Sequence, residues 1–380
     1  MAGIRPDRFR ADPAPARSRH PAGNDAPISD DVLFEGTGVL TLVAGIRRGD
    51  RTADRGRRWG RRGEEPSMRV LVLGGYGATG SRIVALLRAA GDVVFTAGRD
   101  AARADRVLDL RRLTAATVGG AVSDVDIVVN SAGVEDPAVT TAFLDHGVGF
   151  VDITATTRYV AALERLEPRA PLVLSVGLAP GLTNLLVAAV HRDVPGPVDV
   201  ALVLGTGEEY GPASVGWSAD LLGTRFADPV TARSILNYTR PERFRLPGPG
   251  NRRLLRVDFS DQHTLTRDLA VPVRTYLGLT SRIATATLGV MTRVPGSATL
   301  ARRLHLPGDD RWLALARGAD GTIRWASGRP QAHATAAIAV FAARIAPLLE
   351  PGVHHLHQVA TLSDLPADPA LRIHDVGVGA

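Results

Sequence analysis

Apolar positions along this chain follow two different styles. Between residues 68 and 192, short apolar runs alternate with stretches of helical period. Val70-Leu71-Val72-Leu73 is continuous, as expected of a strand covered on both faces in a parallel sheet. After a glycine loop, Ile83, Leu86, Leu87 and Ala90 mark one face of a helix. Val93 to Ala97, Val107-Leu108, Ile127 to Asn130, Phe150 to Ile153 and Leu172 to Leu174 read as strands two to six, with helical stretches between most of them. This alternation predicts an α/β fold with a doubly wound parallel sheet.

Near residue 195 the style changes. Val198, Val200, Leu202 and Leu204 alternate with other residues, as in a strand exposed on one side. Leu255, Val257 and Phe259 repeat the signature, with Arg256, Asp258 and Ser260 facing the other way. The pattern predicts an inserted α+β domain with an antiparallel sheet over 193–329. An Ala-rich helix then returns to the first domain within 330–360, with Ile338, Phe341, Ile345 and Leu348 on one face and Pro351-Gly352 as its stop. Residues 361–380 read as a tail. Residues 1–67 carry 13 arginines, 10 acids and one compact apolar stretch, Val39 to Ala44, which is too little for a core. They read as a disordered extension, or as the product of an upstream start with Met68 the true one. A transit peptide would carry fewer acids.

Composition narrows the chemistry. All 45 basic side chains are arginine, spread along the chain and mixed with acids, so the net charge of +6 points to codon bias and not to a nucleic-acid surface. With no cysteine there is no disulfide and no thiolate nucleophile, which fits a cytoplasmic protein. Without lysine there is no P-loop lysine, no Schiff base and no Tyr-x-x-x-Lys proton relay. No stretch reaches the roughly 18 apolar residues of a membrane span.

Gly75-Tyr76-Gly77-Ala78-Thr79-Gly80 follows the first strand and opens the first helix, the context in which a G-x-G-x-x-G pattern signals a Rossmann-type dinucleotide site. Gly75 is read as permitting the tight turn, Gly77 the approach of pyrophosphate and Gly80 the close packing of the helix. The second strand ends Thr96-Ala97-Gly98-Arg99. Arg99 there suits the 2′-phosphate of NADP, while the adjacent Asp100 keeps NAD open.

Four segments carry a family resemblance: Gly74 to Gly80, Asn130-Ser131-Ala132-Gly133, Phe150 to Thr154, and Gly177-Leu178-Ala179-Pro180-Gly181-Leu182-Thr183-Asn184. With these the chain resembles the saccharopine dehydrogenase family over most of residues 68–360. Thr206 to Gly211 and Asp261 to Leu265 also look like second-domain motifs of uncharacterised bacterial members. The resemblance implies an NADP-binding domain, an inserted substrate domain and a homodimer formed through the inserted sheet. It does not imply saccharopine as substrate, because the lysine associated with that chemistry is missing.

Hydride transfer to a C=N or C=O carbon needs a proton donor beside the nicotinamide. His263 is the leading candidate, placed at the end of a second-domain strand and flanked by Asp261, Gln262 and Thr264. Tyr159 could donate a proton and Arg158 bind a carboxylate. Ser131, Ala132 and Gly133 are assigned to the cofactor, and Pro180, Gly181, Asn184 and Glu208, with Glu209 and Tyr210, to the substrate side. Each has a plainer reading as a turn, a solvated charge or a packing residue. His354, His355 and His357 have no carboxylate nearby in sequence, so no metal is expected. The expected activity is an NADP-dependent oxidoreductase acting on an amino-acid-like or opine-like small molecule. The alternative is a non-catalytic NADP(H)-sensing protein, since the Gly-Ala-Thr-Gly loop is also similar to that of NmrA-like regulators.

Overall fold

The computed structural model describes residues 67–207, 218–302 and 308–376. Glu208, Glu209, Tyr210 and the extension before residue 67 lie outside them. The first sheet is built from β1 (Arg69–Leu73), β2 (Val93–Gly98), β3 (Arg106–Val107), β4 (Ile127–Asn130), β5 (Gly149–Asp152) and β6 (Pro171–Leu174). The intervening helices are α1 (Ala78–Ala89), α2 (Ala115–Val122), α3 (Pro137–Leu144) and α4 (Thr157–Leu163), and α5 (Thr183–Asp193) follows β6.

The second sheet contains β7 (Val198–Leu204), β10 (Thr239–Leu246), β11 (Gly250–Arg256), β12 (Val273–Leu279), β13 (Trp312–Gly318), β14 (Ile323–Gly328) and β16 (Leu371–Val376). Strands β8 (Arg225–Ala227) and β9 (Ser234–Leu236) pair separately. Helices α6 (Ser260–Leu269), α7 (Arg282–Met291) and α8 (Ser297–Ala301) lie between these strands, and α9 (Gln331–Ile345), β15 (Gly352–His355) and α10 (Leu356–Val359) follow.

The first sheet has the order β15-β6-β5-β4-β1-β2-β3, and every pairing in it is parallel. The chain winds outward from β1 in both directions, so the strand order reverses between β1 and β4. In open α/β sheets such a reversal, at the carboxyl ends of the strands, is where ligands are bound. Val70 and Val72 point to one face and Leu71 and Leu73 to the other, all fully buried, which is why β1 reads as an unbroken apolar run. Each such side chain contributes about 1.5–3 kcal/mol on burial. Helix α9 packs on α1 and closes one face of the sheet.

Three features depart from the sequence reading. The second sheet, ordered β10-β11-β12-β7-β13-β14-β16, is mixed and not antiparallel throughout, because β7 and β12 run parallel. Helix α6 lies between the antiparallel neighbours β11 and β12, and β12 pairs on its other side with β7 in parallel. Within the stretch read as a tail, Leu371–Val376 forms β16 and pairs with β14. Gly352–His355, read as part of a returning helical segment, is an edge strand of the first sheet beside β6. A four-residue strand carries too short a pattern to register against the Ala-rich helix before it.

Candidate active site and nucleotide cradle

The glycine loop is shaped by close backbone approach. Gly74 adopts φ +73°, and a Cβ on it would lie 2.8 Å from the Ala132 Cα. The left-handed residue of the turn is therefore Gly74, not Gly75. Gly75 is needed because a Cβ on it would lie 2.9 Å from the Thr96 Cγ2. A Cβ on Gly80 would lie 2.2 Å from the Gly74 carbonyl oxygen and 2.7 Å from the Ser131 hydroxyl. Gly80 thus lets α1 begin directly under the loop, and its packing partner is the loop itself and not only the strand. The amino end of α1 has no side-chain cap, so its leading N–H groups and positive dipole end suit a pyrophosphate. These residues fit a dinucleotide.

The loops after β4 and β5 are fixed by a buried polar cluster. Asn130 Nδ2 donates to Asp152 Oδ2 at 2.9 Å, and the Thr154 N–H donates to Asp152 Oδ1 at 2.8 Å. Burial raises the Asp152 carboxyl above its usual range, opposed by these bonds. Tyr159 belongs to this cluster: its hydroxyl donates to Asp152 Oδ2 at 3.0 Å and lies 2.9 Å from Thr140 Oγ1. Burial also pushes the phenol far above its usual range. At 4% exposure Tyr159 braces the β5 loop, which argues against its expected part as a proton donor. Ser131 likewise donates its hydroxyl to the Leu73 carbonyl at 2.7 Å, tying the β4 loop to the glycine loop. Arg158 is exposed beside these loops, as is Gly133.

After β6 the chain turns through Gly177 (φ 155°) and Gly181 (φ 135°) into α5. Pro180, Gly181 and Asn184 are buried here. Asn184 Oδ1 accepts the Gly181 N–H at 2.9 Å, while Asn184 Nδ2 is buried with no protein partner. Their positions hold the turn rather than line an open surface.

His263 lies in the first turn of α6, not at a strand end as the alternation through Phe259 suggested. Its Nε2 is 2.7 Å from Asp258 Oδ1, and that oxygen also accepts from Thr157 Oγ1, at the start of α4, at 3.0 Å. Asn237 Oδ1 accepts the Asp258 N–H at 2.7 Å, and the Phe226 ring meets His263 edge-on at 6.3 Å between centroids. The Ser260 N–H donates to the Ala155 carbonyl at 3.3 Å. Asp261, fully buried, accepts from Thr183 Oγ1 at 3.0 Å and Thr275 Oγ1 at 2.8 Å. It fastens α6 to α5 and β12. The histidine therefore stands against the β5 loop, at the carboxyl end of the first sheet, and remains 26% exposed.

Sequence reasoning passed over Asp258, Thr157 and Asn237. Asp258 lies only five residues before His263, a spacing that was there to be read, whereas Thr157 and Asn237 come from distant segments that only the fold makes neighbours. The same holds for His355 and His357. Their carboxylate partners come from the end of α4 and from α6: His355 Nε2 lies 3.0 Å from Glu164, and His357 Nε2 lies 3.1 Å from Asp268. A cavity of about 430 Å³ opens beside Glu164, Arg267 and His355, apart from the glycine loop. Among the described residues no group of three could hold a metal ion, and no helix is long and apolar enough to cross a membrane.

No family model and no curated protein matches the chain. Solved structures do. An amine dehydrogenase from Mycobacterium smegmatis aligns at 16% identity over 80% of this chain and 99% of its own, with a TM-score of 0.46. A meso-dapdh mutant with DAP from Clostridium tetani E88 aligns at 12% identity over 80% of this chain and 98% of its own, with a TM-score of 0.44. A UDP-N-acetylglucosamine 4-epimerase from Bacillus cereus aligns at 22% identity over 23% of this chain, with a TM-score of 0.19, and this chain spans 35% of its length.

Proposed function

We propose that this protein is an NADP(H)-dependent oxidoreductase that interconverts a C=N or C=O carbon and its reduced form in an amino-acid-like or opine-like small molecule. The observation that carries the reading is the His263–Asp258 contact at 2.7 Å, held against the β5 loop beyond the carboxyl ends of a sheet whose glycine loop fits a dinucleotide. A nicotinamide supplies hydride chemistry when bound. The chain's own task is then the proton. The Asp258 carboxylate accepts from His263 Nε2–H, so Nδ1 faces the substrate: as a free lone pair it takes the proton from the substrate oxygen or nitrogen during oxidation, and the imidazolium so formed returns that proton from Nδ1–H during reduction. Thr157 and Asn237 hold Asp258, and Asp258 holds the imidazole.

Cofactor preference follows from the carboxylates at the end of β2. Asp100 Oδ1 accepts the Ala102 N–H at 3.0 Å, and Asp105 Oδ2 accepts from both the N–H and the hydroxyl of Thr96. Both acids serve the backbone turn. Arg99 stays exposed beside them, which favours NADP over NAD. The reading also takes the inserted domain as the substrate and dimerisation domain of a cytoplasmic homodimer.

The test is a titration of NADPH and NADH against the full chain, followed by turnover of NADPH with pooled oxo acids and amines. Tight NADPH binding with turnover is expected. Binding without turnover across amines, oxo acids and aldehydes would favour the NADP(H)-sensing alternative, and the absence of binding would overturn both.

A further inference from the structure

The fifth residue after β2 has an arrangement that the nucleotide cradle alone does not require. Arg103 lays its guanidinium over the Tyr76 ring, 4.5 Å from the centroid, and donates from Nη2 to the Tyr76 carbonyl at 2.9 Å. The ring in turn lies on Gly98, where a Cβ would come within 2.2 Å of the Tyr76 hydroxyl. That hydroxyl accepts the Asp100 N–H at 3.3 Å. The end of β2, the glycine loop and Arg103 are thereby locked into one unit. Arg103 reaches its place through the turn Asp100–Ala104, closed by the N–H groups of residues 103 and 104 on the Asp100 carbonyl.

The charge of this unit is what matters. Arg103 is held by a carbonyl and a ring, both neutral, so its cation is positioned without being neutralised. The neighbouring acids point elsewhere: Asp100 Oδ1 accepts the Ala102 N–H, and Asp105 Oδ2 accepts from Thr96 and faces Arg88 at 3.6 Å. Arg99, four residues earlier, is also exposed. Two guanidinium groups therefore flank the edge of β2 beside the glycine loop, where a dinucleotide places its adenosine ribose.

We propose that Arg103, positioned by Tyr76, is a second specificity-determining cation beside Arg99, and that the two together take the phosphomonoester on the 2′-oxygen of NADP(H). The inference rests on the dinucleotide reading of the loop. It goes beyond that reading in assigning discrimination to a residue outside the G-x-G-x-x-G pattern and outside the strand end. Guanidinium pairs bind a phosphate dianion through several charged hydrogen bonds, whereas the bare ribose hydroxyls of NAD(H) offer Arg103 no charge to pair. Tyr76 is the positioning residue. Its ring holds the cation in place, and its hydroxyl secures the turn that carries it.

The experiment is calorimetric titration of the full chain with NADPH, NADH and 2′,5′-ADP, for the unaltered protein and for Arg103→Ala, Tyr76→Phe and Tyr76→Leu, with melting curves to confirm folding. Arg103→Ala should weaken NADPH and 2′,5′-ADP by roughly 10- to 100-fold while NADH changes by less than about twofold. Tyr76→Phe keeps the ring under the guanidinium but loses the hydroxyl's bond to the turn, and should fall between the unaltered protein and Tyr76→Leu. Tyr76→Leu should lose NADPH affinity in the same direction as Arg103→Ala. Equal changes for NADPH and NADH in Arg103→Ala, or no change in either, would overturn the inference while the dinucleotide reading stands. An unaltered protein that binds neither cofactor would remove that reading, and this inference with it.

Discussion

Asp258 and His263 are five residues apart, yet one lies just beyond β11 and the other on the first turn of α6, and the bend between them closes the contact from Asp258 Oδ1 to His263 Nε2. Thr157 reaches Asp258 from the first domain, so the proposed alignment of His263 includes a contact made only while the two sheets are docked. His263→Asn should lower turnover by about 10²- to 10⁴-fold with NADPH affinity unchanged. Steady-state rates beside a binding titration decide this, and unchanged turnover would remove His263 from the mechanism.

Gly80 has no room for a side chain, because a Cβ there meets the Gly74 carbonyl oxygen at 2.2 Å, and that atom is rigid backbone. Gly80→Ala should destabilise the protein by about 1–3 kcal/mol through overpacking and weaken NADPH and NADH alike. Urea unfolding and cofactor titration measure the two effects. A variant with normal stability and affinity would contradict the close approach of loop and helix.

Arg99 lies at the end of β2 with its neighbouring acids turned to the backbone. Arg99→Asp should therefore weaken NADPH by roughly 10-fold or more and leave NADH close to its original affinity. Parallel losses for both cofactors would mean that this strand end does not read the 2′ position.

The Glu164 carboxylate joins three segments of chain. Burial raises its pKa, but His355 at 3.0 Å and Arg267 at 2.7 Å outweigh burial and hold it at about 2, against 4.5 for the free group. A folded-state pKa below the unfolded one means that the ion pairs stabilise fully above pH 4.5, and that this stabilisation fades as pH falls towards 2. Glu164→Gln should cost about 1–3 kcal/mol at neutral pH. The gap from the unaltered protein should narrow across that acid window. Denaturant unfolding at stepped pH tests this, and a gap independent of pH would rule out the charge as its source.

Strands β1 to β6 and the glycine loop were legible in the sequence, whereas the edge strand β15 was not. Val70 to Leu73 is apolar without interruption because both faces of β1 are covered, and Gly74 to Gly80 is glycine-rich because backbone meets backbone there. Both causes act within a few residues, so they leave a local trace. Tertiary structure decided the rest. Tyr159 was a polar residue near a strand end until packing sealed its hydroxyl against Asp152 and Thr140. Asp258 gained Thr157, and His355 gained Glu164, through contacts that exist only once α4 has met the inserted domain and β15. Hydrogen bonds and ion pairs act over a few ångströms in space whatever the separation along the chain. Their partners are therefore chosen by the docking of elements, for which a single sequence carries no periodic signal.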